Sequence, residues 1–144
     1  MRILALVGLV LSFATLSAPE TPAQERFSKV VTDAGRWEPV DYKAPGECTG
    51  DAQECALKML GESNISVGDE PAFSVYQLGE VDGKRVTVVF VSQLVEDDDS
   101  VLGRLYRLEM SLGDVEDKSY SLDAMGRMYQ CMRGPEGWRK SVCP

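Results

Sequence analysis

The chain contains no histidine and only four cysteines among its 144 residues. Without histidine, Ser-His-Asp and Cys-His catalysis cannot arise within this chain, because both need an imidazole base. The sequence also lacks the G-x-S-x-G, S-x-x-K, P-loop and G-x-G-x-x-G motifs. It therefore predicts a protein that is not an enzyme, and it gives no sign of a cofactor or a metal site.

Long hydrophobic runs are scarce, and the main one lies at the N-terminus. Arg2 is followed by an apolar run over Ile3–Leu16, and small residues come next. This pattern is typical of a secretory signal peptide, which we place at residues 1–23. The run is shorter than the roughly 20 residues of a transmembrane helix, so a retained anchor is the weaker alternative. No later stretch predicts a membrane span.

Basic residues are fewer than acidic ones, 15 against 23, which gives a net charge of −8. Such a chain is unsuited to general nucleic-acid binding. The charge is also uneven: residues 124–144 have four basic residues and one acidic residue, a net of +3, whereas residues 24–123 carry −11. The basic end either attracts the acidic body of the same chain or contacts an anionic partner.

The cysteines predict two disulfides, because an even number in an exported chain is usually oxidised. Zinc binding is the alternative role for the cysteines, but no C-x-x-C pair occurs among Cys48, Cys55, Cys131 and Cys143. Local pairing of Cys48 with Cys55 and of Cys131 with Cys143 is favoured. A Cys131–Cys143 bond is worth on the order of 3 kcal/mol in the loop-entropy model. Pairing of Cys48 with Cys143 and of Cys55 with Cys131 stays open.

The hydrophobic pattern predicts one helix in "TGDAQECALKMLGES", with Asp51 as N-cap and Gly61 just after its end. Its apolar face is formed by residues at helical spacing, namely Ala52, Cys55, Ala56, Met59 and Leu60. A helix this short is marginal alone in water, so it needs a sheet to pack on.

Four or five strands follow the helix, joined by short polar turns. Asp82-Gly83 predicts a hairpin turn, in a register that pairs Glu80 with Arg85 and Tyr76 with Val89. Another strand covers residues 104–112, and residues 120–132 suggest two short strands around a turn at 124–126.

Short connections imply an antiparallel meander, because parallel strands need long crossovers. The predicted fold class is therefore α+β, with one short N-terminal helix on the sheet. Residues 24–46 form a lead-in segment with a possible edge strand near Pro39, since proline donates no ladder bond. Residues 47–144 form a single domain.

Candidate binding residues occur in three places. The tail after Cys131 reverses direction and contributes Arg133, Gly134, Trp138 and Arg139. The acidic run at 96–99 contributes Asp98 and Asp99, and the strand that follows contributes Arg107. Calcium loops alternate their ligands, whereas four successive carboxylates diverge, so the acidic run is better explained as a solvated turn. We expect Arg107 to pair with an acidic residue of a neighbouring strand.

The stretches "DDSVLGRLYRLEM" and "YQCMRGPEGWRKSVC" together resemble a family of small, uncharacterised exported bacterial proteins. These carry a D-D-S-V run followed by arginines on a strand, and a C…G…W…C tail. The resemblance covers about residues 84–144 and depends on Asp98, Asp99, Ser100, Arg104, Arg107, Cys131, Gly134, Trp138 and Cys143. The resemblance implies a location in the bacterial envelope, and it implies no enzymatic or binding activity.

The leading hypothesis is a periplasmic or secreted, disulfide-stabilised domain that binds or inhibits an envelope or extracellular protein. A carboxylate-dependent hydrolase is an alternative, which requires two acids across a pocket and a raised pKa. A small-ligand carrier is another, which requires a pocket between the helix and the sheet.

The export hypothesis predicts a defined mature N-terminus. Because small residues precede position 24, signal peptidase should cleave after Ala23. Intact-mass measurement of the protein secreted or released from a bacterial periplasm should give a chain that begins at Gln24. Recovery of the uncleaved chain from the membrane fraction would instead support an anchor.

Overall fold

The computed structural model describes residues 33–43, 46–81, 83–95, 98–113, 118–134 and 136–144. The predicted signal peptide, the first part of the lead-in segment and the first two residues of the acidic run lie outside the described residues. Asp82 of the predicted hairpin turn is also outside them.

One helix and seven strands are described. A short 3-10 turn at Ala34–Arg36 comes first, and the elements that follow are β1 (Glu38–Pro39), β2 (Cys48–Thr49), α1 (Ala52–Glu62), β3 (Ala72–Val81), β4 (Lys84–Leu94), β5 (Val101–Leu112), β6 (Ser119–Cys131) and β7 (Trp138–Arg139). The long strands form the antiparallel order β6-β5-β4-β3, and β1, β2 and β7 all pair with β6. The predicted α+β fold with an antiparallel meander is confirmed.

Helix α1 forms where the periodicity predicts it. The Asp51 carboxylate accepts a hydrogen bond of 2.8 Å from the Gln53 N–H, as an N-cap does. The side chains of one helix face are fully buried, namely Cys55, Ala56, Met59 and Leu60. This face packs on the sheet, and the burial supplies the stability that a short helix lacks by itself.

The helix extends beyond its predicted end. Gly61 lies inside α1, and Ser63 is the C-cap residue. The Ser63 hydroxyl donates 2.8 Å to the Met59 carbonyl, and Asn64 takes the left-handed conformation with φ 59°. Asparagine tolerates this conformation better than most residues, so it terminates the helix where Gly61 was expected to.

The β3–β4 hairpin has the predicted register only near its turn. Glu80 pairs with Arg85 as expected, but Tyr76 pairs with Val88 and not with Val89. The register shifts between Gln77 and Gly79, and Gly79 has φ 81°. A β-bulge with one extra residue on β3 causes the difference.

Strand β6 is continuous, so the predicted turn at residues 124–126 is wrong. Glu109 pairs with Ala124 and Met110 pairs with Leu122, which leaves Asp123 as an extra residue on β6. This bulge bends the strand without ending it. Pro39 in β1 lies opposite Gly126, and β1 is the outermost strand beside β6.

The sheet has a buried cluster on each face. Helix α1 covers one face, and the smaller cluster on the other centres on Trp37, Val86, Val88, Phe90 and Met128. Trp37 is 2% exposed and stacks on Phe90 with 5.4 Å between ring centroids. A Cβ atom at Gly126 would lie 2.6 Å from the Cβ atom of Trp37, so this site admits only glycine without rearrangement.

Both disulfides have the local pairing. Cys48 is bonded to Cys55 and Cys131 to Cys143, with Cα–Cα distances of 5.6 and 5.4 Å. No helix in the described part of the chain has the length and apolar character needed to cross a bilayer.

Two glycine substitutions should change stability in opposite directions. Gly126→Ala should lower the free energy of unfolding by about 1–3 kcal/mol, because overpacking displaces Trp37. Gly61→Ala adds a methyl group in open space within α1 and should raise it by about 0.5–1 kcal/mol. Urea denaturation of both variants measures this, and an unchanged midpoint for Gly126→Ala would contradict the packing described.

Candidate functional site

The disulfide-closed segment Cys131–Cys143, here called the tail loop, follows β6 and folds back to pair with its last residues through β7. Within it Trp138 pairs with Gln130 through β7. A Cβ atom at Gly103 would lie 3.3 Å from the Trp138 ring, so the indole rests on the bare backbone of β5. The side chain is nevertheless 41% exposed. Trp138 is thus held on the sheet while part of its ring faces solvent.

The other predicted tail residues lie in the same loop, where a Cβ atom at Gly134 would be 3.7 Å from the Arg139 guanidinium. Gly134 has φ 103°, and Arg133 and Arg139 make no ion pair with any described residue. Lys140 differs, because its Nζ donates a hydrogen bond of 3.0 Å to the Gly35 carbonyl. This contact fastens the tail loop to the 3-10 turn and leaves the two arginines for other interactions.

Apolar exposure is also concentrated in the tail loop. Met132 and Val142 are exposed there together with Trp138. Tryptophan, methionine and arginine are the residue types enriched in protein interfaces. The tail loop therefore has the composition of a contact surface.

Asp98 has a structural role in the turn before β5. Its Oδ1 accepts hydrogen bonds from the N–H groups of Ser100 at 2.9 Å and Val101 at 3.1 Å, and its Oδ2 lies 3.9 Å from an Arg104 guanidinium nitrogen. The backbone hydrogen bonds, more than Arg104, lower the pKa of Asp98. Its carboxylate is committed to the turn.

The acidic turn adjoins the start of the tail loop. The Ser100 carbonyl accepts a hydrogen bond of 2.9 Å from the Met132 N–H, and Asp99 is exposed beside it. The structure thus brings Asp98 and Asp99 to the same end of the sheet as Arg133, without a recorded contact between them.

Arg107 does not join this surface. It is 2% exposed in the middle of β5, between Phe90 on β4 and Gly126 on β6. One guanidinium nitrogen lies 2.6 Å from Glu109 Oε2. Glu109 lies on the same strand, and at 2% exposure the guanidinium is buried inside the protein.

A polar network on the edge of β6 escaped the sequence analysis. One carboxylate oxygen of Glu38 accepts hydrogen bonds from Arg127 at 3.0 and 3.1 Å and from the Tyr129 hydroxyl at 2.9 Å. Burial raises the pKa of Glu38, but the bonds from Arg127 and Tyr129 outweigh it, and the pKa is lowered. The network fixes β1, and with it the neighbouring Trp37, to the sheet.

Two concave regions lie on the helical side of the sheet. A cleft of about 750 Å³, here called the hairpin cleft, lies between the start of α1 and the β3–β4 hairpin. Another of about 880 Å³ lies beside residues 66–70, Asp98 and Arg104. The second also includes Gln93, whose buried Oε1 has no partner among the described residues.

Acid–base and metal chemistry find little support among the described residues. No three carboxylates or thiolates there are grouped to hold a metal ion. The carboxyl groups with shifted pKa values, Glu38 and Asp98, are both lowered. A general acid needs a raised pKa, so neither group is suited to that role.

No protein-family model, curated protein or solved structure matches this chain. The geometry of the chain's own residues is therefore the basis for a functional proposal, and the resemblance of residues 84–144 to exported bacterial proteins stays a prediction.

The Glu38 network predicts a specific loss of stability in acid. Because folding lowers the pKa of Glu38 from its ordinary value of 4.5, its contribution is present above 4.5 and is lost as the pH falls through the folded-state pKa. Glu38→Gln should therefore flatten the fall of unfolding free energy just below pH 4.5. Asp41→Asn, at an exposed position of the same segment, is the matched control and should leave that slope unchanged. Equal slopes in the wild type and Glu38→Gln would contradict this role.

Proposed function

We propose that the protein is an exported, non-enzymatic binding module that contacts an envelope or extracellular protein through its tail loop. The observation that carries the proposal is the partial exposure of Trp138 on a loop that a disulfide closes. Two disulfides favour an oxidising compartment outside the cytoplasm, which agrees with the predicted signal peptide and with the bacterial resemblance.

The tail loop is well suited to binding because it is ordered before a partner arrives. Association costs the conformational freedom of loops and side chains at the interface. Here the Cys131–Cys143 bond, the β6–β7 pairing and the Lys140 contact have already restricted the loop. A larger share of the contact energy is then available for affinity.

The contact residues agree with the usual pattern of interface energetics. A few tryptophan, tyrosine and arginine side chains dominate most protein interfaces. Trp138 supplies a large apolar surface, and Arg133 and Arg139 lie in the same loop and form no ion pair with a described residue. We assign Trp138 as the anchor and the two arginines as the charged contacts.

Charge indicates the kind of partner. The tail loop has three basic residues and one acidic residue, a net of +2, on a chain of net −8. Complementary potentials speed association and select against partners of the wrong charge. We therefore propose an acidic patch on the partner, and one concrete form is an enzyme whose cleft admits the loop around Gly134 and Trp138.

The alternatives differ in their support. A carboxylate-dependent hydrolase is disfavoured because Glu38 and Asp98 have lowered pKa values. A small-ligand carrier is favoured by one observation, the hairpin cleft between α1 and the sheet.

Truncation of Trp138 should weaken partner capture strongly. The oxidised wild-type protein serves as bait in an extract of the source organism's envelope, beside Trp138→Ala and the matched control Leu57→Ala, which removes an exposed apolar side chain on α1. Trp138→Ala should weaken binding of any wild-type-specific partner at least about 30-fold, as loss of an interface hot spot does. Leu57→Ala should bind as the wild type does.

The outcome is decided by quantitative mass spectrometry of the captured proteins and by titration of the recovered partner. Equal capture by Trp138→Ala, with its fold verified by circular dichroism, would exclude the tail loop as the contact surface. The absence of any specific partner across several extraction conditions would count against a protein-binding function.

A further inference from the structure

The two disulfides differ in their access to solvent. Cys48 is 6% exposed and Cys55 is fully buried, so their bond lies in the core between helix α1 and the sheet. Cys131 and Cys143, which join the two ends of the tail loop, are both partly exposed. Reduction of a disulfide requires that a thiolate attack one of its sulfur atoms, so the rate depends on access to that atom. A reductant can therefore reach the Cys131–Cys143 bond in the folded protein.

The tail loop is held on the sheet by few contacts other than this bond. None of its described residues is buried. Strand β7 adds two residue pairs with β6, at Trp138 and Arg139, and the Lys140 hydrogen bond to the 3-10 turn is exposed. Segments with few buried apolar contacts and exposed hydrogen bonds open locally at a low free energy. Cleavage of the Cys131–Cys143 bond should therefore release the loop from the sheet.

The Cys48–Cys55 bond is protected by the packing of α1. Ala56, Met59 and Leu60 on the same helix face are fully buried against the sheet. A reductant reaches the Cys55 sulfur only when this face leaves the sheet, which exposes much of the core. Both bonds close short segments, with partners 7 and 12 residues apart, so the fold and not the sequence separation makes them unequal.

From this contrast we propose that the Cys131–Cys143 bond is redox-sensitive and controls the position of the tail loop, whereas the Cys48–Cys55 bond is structural. The reductant is a dithiol, of the chemical class of two-cysteine thiol–disulfide oxidoreductases. All four cysteines of the chain are in the two bonds, so no thiol of the chain itself can rearrange them.

The exchange begins at Cys143, because Val142 and Pro144 on either side of it are exposed, whereas Cys131 is held in β6. One thiolate of the reductant attacks the Cys143 sulfur, which forms a mixed disulfide and releases Cys131 as a thiolate that takes up a proton. The second thiolate of the reductant then displaces Cys143, which is protonated in turn. The dithiol is oxidised to a disulfide, and two electrons and two protons pass to the two cysteines of the tail loop.

Reduction removes the ordered surface that the oxidised loop presents. Trp138 leaves the backbone of β5, and the loop must then be ordered again before it can bind, which weakens association. This regulatory consequence rests on the proposed function, because the tail loop is the proposed contact surface. The oxidised protein is the form that binds its partner strongly.

Graded dithiothreitol, which is itself a dithiol, tests the selectivity in the oxidised, folded protein. Trapping of thiols with N-ethylmaleimide and peptide mass spectrometry should show the Cys131–Cys143 bond reduced at least about tenfold faster than the Cys48–Cys55 bond. In denaturing urea the two rates should become similar, because burial no longer distinguishes the bonds.

Tryptophan fluorescence tests the release of the loop. Selective reduction should shift the emission to longer wavelength as Trp138 enters water, and Trp138→Phe should lack this shift because Trp37 stays buried. Circular dichroism should be unchanged, since β6 and α1 remain in place. The double variant Cys131→Ser/Cys143→Ser should have the emission of the reduced protein and keep its Cys48–Cys55 bond.

Equal reduction of both bonds in the folded protein, earlier reduction of Cys48–Cys55, or unchanged Trp138 emission after selective reduction would overturn the proposal. These measurements need no partner, so their failure differs from that of the proposed function, which shows as equal capture by Trp138→Ala. As bait, the folded double variant should capture less of any partner that depends on Trp138. Capture equal to that of the wild type would exclude control of binding by this bond.

Discussion

Strand β6 is the element on which the rest of the structure depends, because both disulfides act at its ends. Cys48 in β2 pairs with Tyr120 near the start of β6, and its bond to Cys55 fixes α1 there. Cys131 ends the strand, and its bond to Cys143 fixes the tail loop. Neither a helix of 11 residues nor a short polar tail is stable by itself in water. The two disulfides therefore supply stability that the local sequence of the helix and of the tail does not.

The two faces of the sheet are covered by different means, and this determines where recognition can occur. Helix α1 covers the centre of one face, while Trp37, fixed by the Glu38 network beside it, packs over Gly126 on the other. The packing of α1 on one face and of Trp37 on the other stabilises the middle of the long strands. Concave or partly exposed surface then remains at the ends of the sheet, in the hairpin cleft and at the tail loop.

Local periodicity predicted the parts of the fold that depend on neighbouring residues in the chain. The α1 face follows from helical spacing, and the pairing of Glu80 with Arg85 follows from the turn. The bulges cannot be predicted in this way, because an extra strand residue carries no local signature, and the sequence around the β6 bulge at Asp123 favours a turn. Among the candidate site residues, Trp138 could be selected from its place in the tail. The network of Glu38, Arg127 and Tyr129 could not, because these residues are far apart in the sequence and meet only in the tertiary structure.

Both ends of the sheet gain rigidity from a disulfide. The Cys48–Cys55 bond joins β2 to α1, and Tyr120, paired with Cys48, and Ala52 at the helix start are both part of the hairpin cleft wall. The Cys131–Cys143 bond closes the loop that presents Trp138. A binding surface that is already ordered loses less conformational entropy when its partner arrives. The Cys131–Cys143 bond therefore stabilises the fold and also reduces the entropic cost of binding at the tail loop.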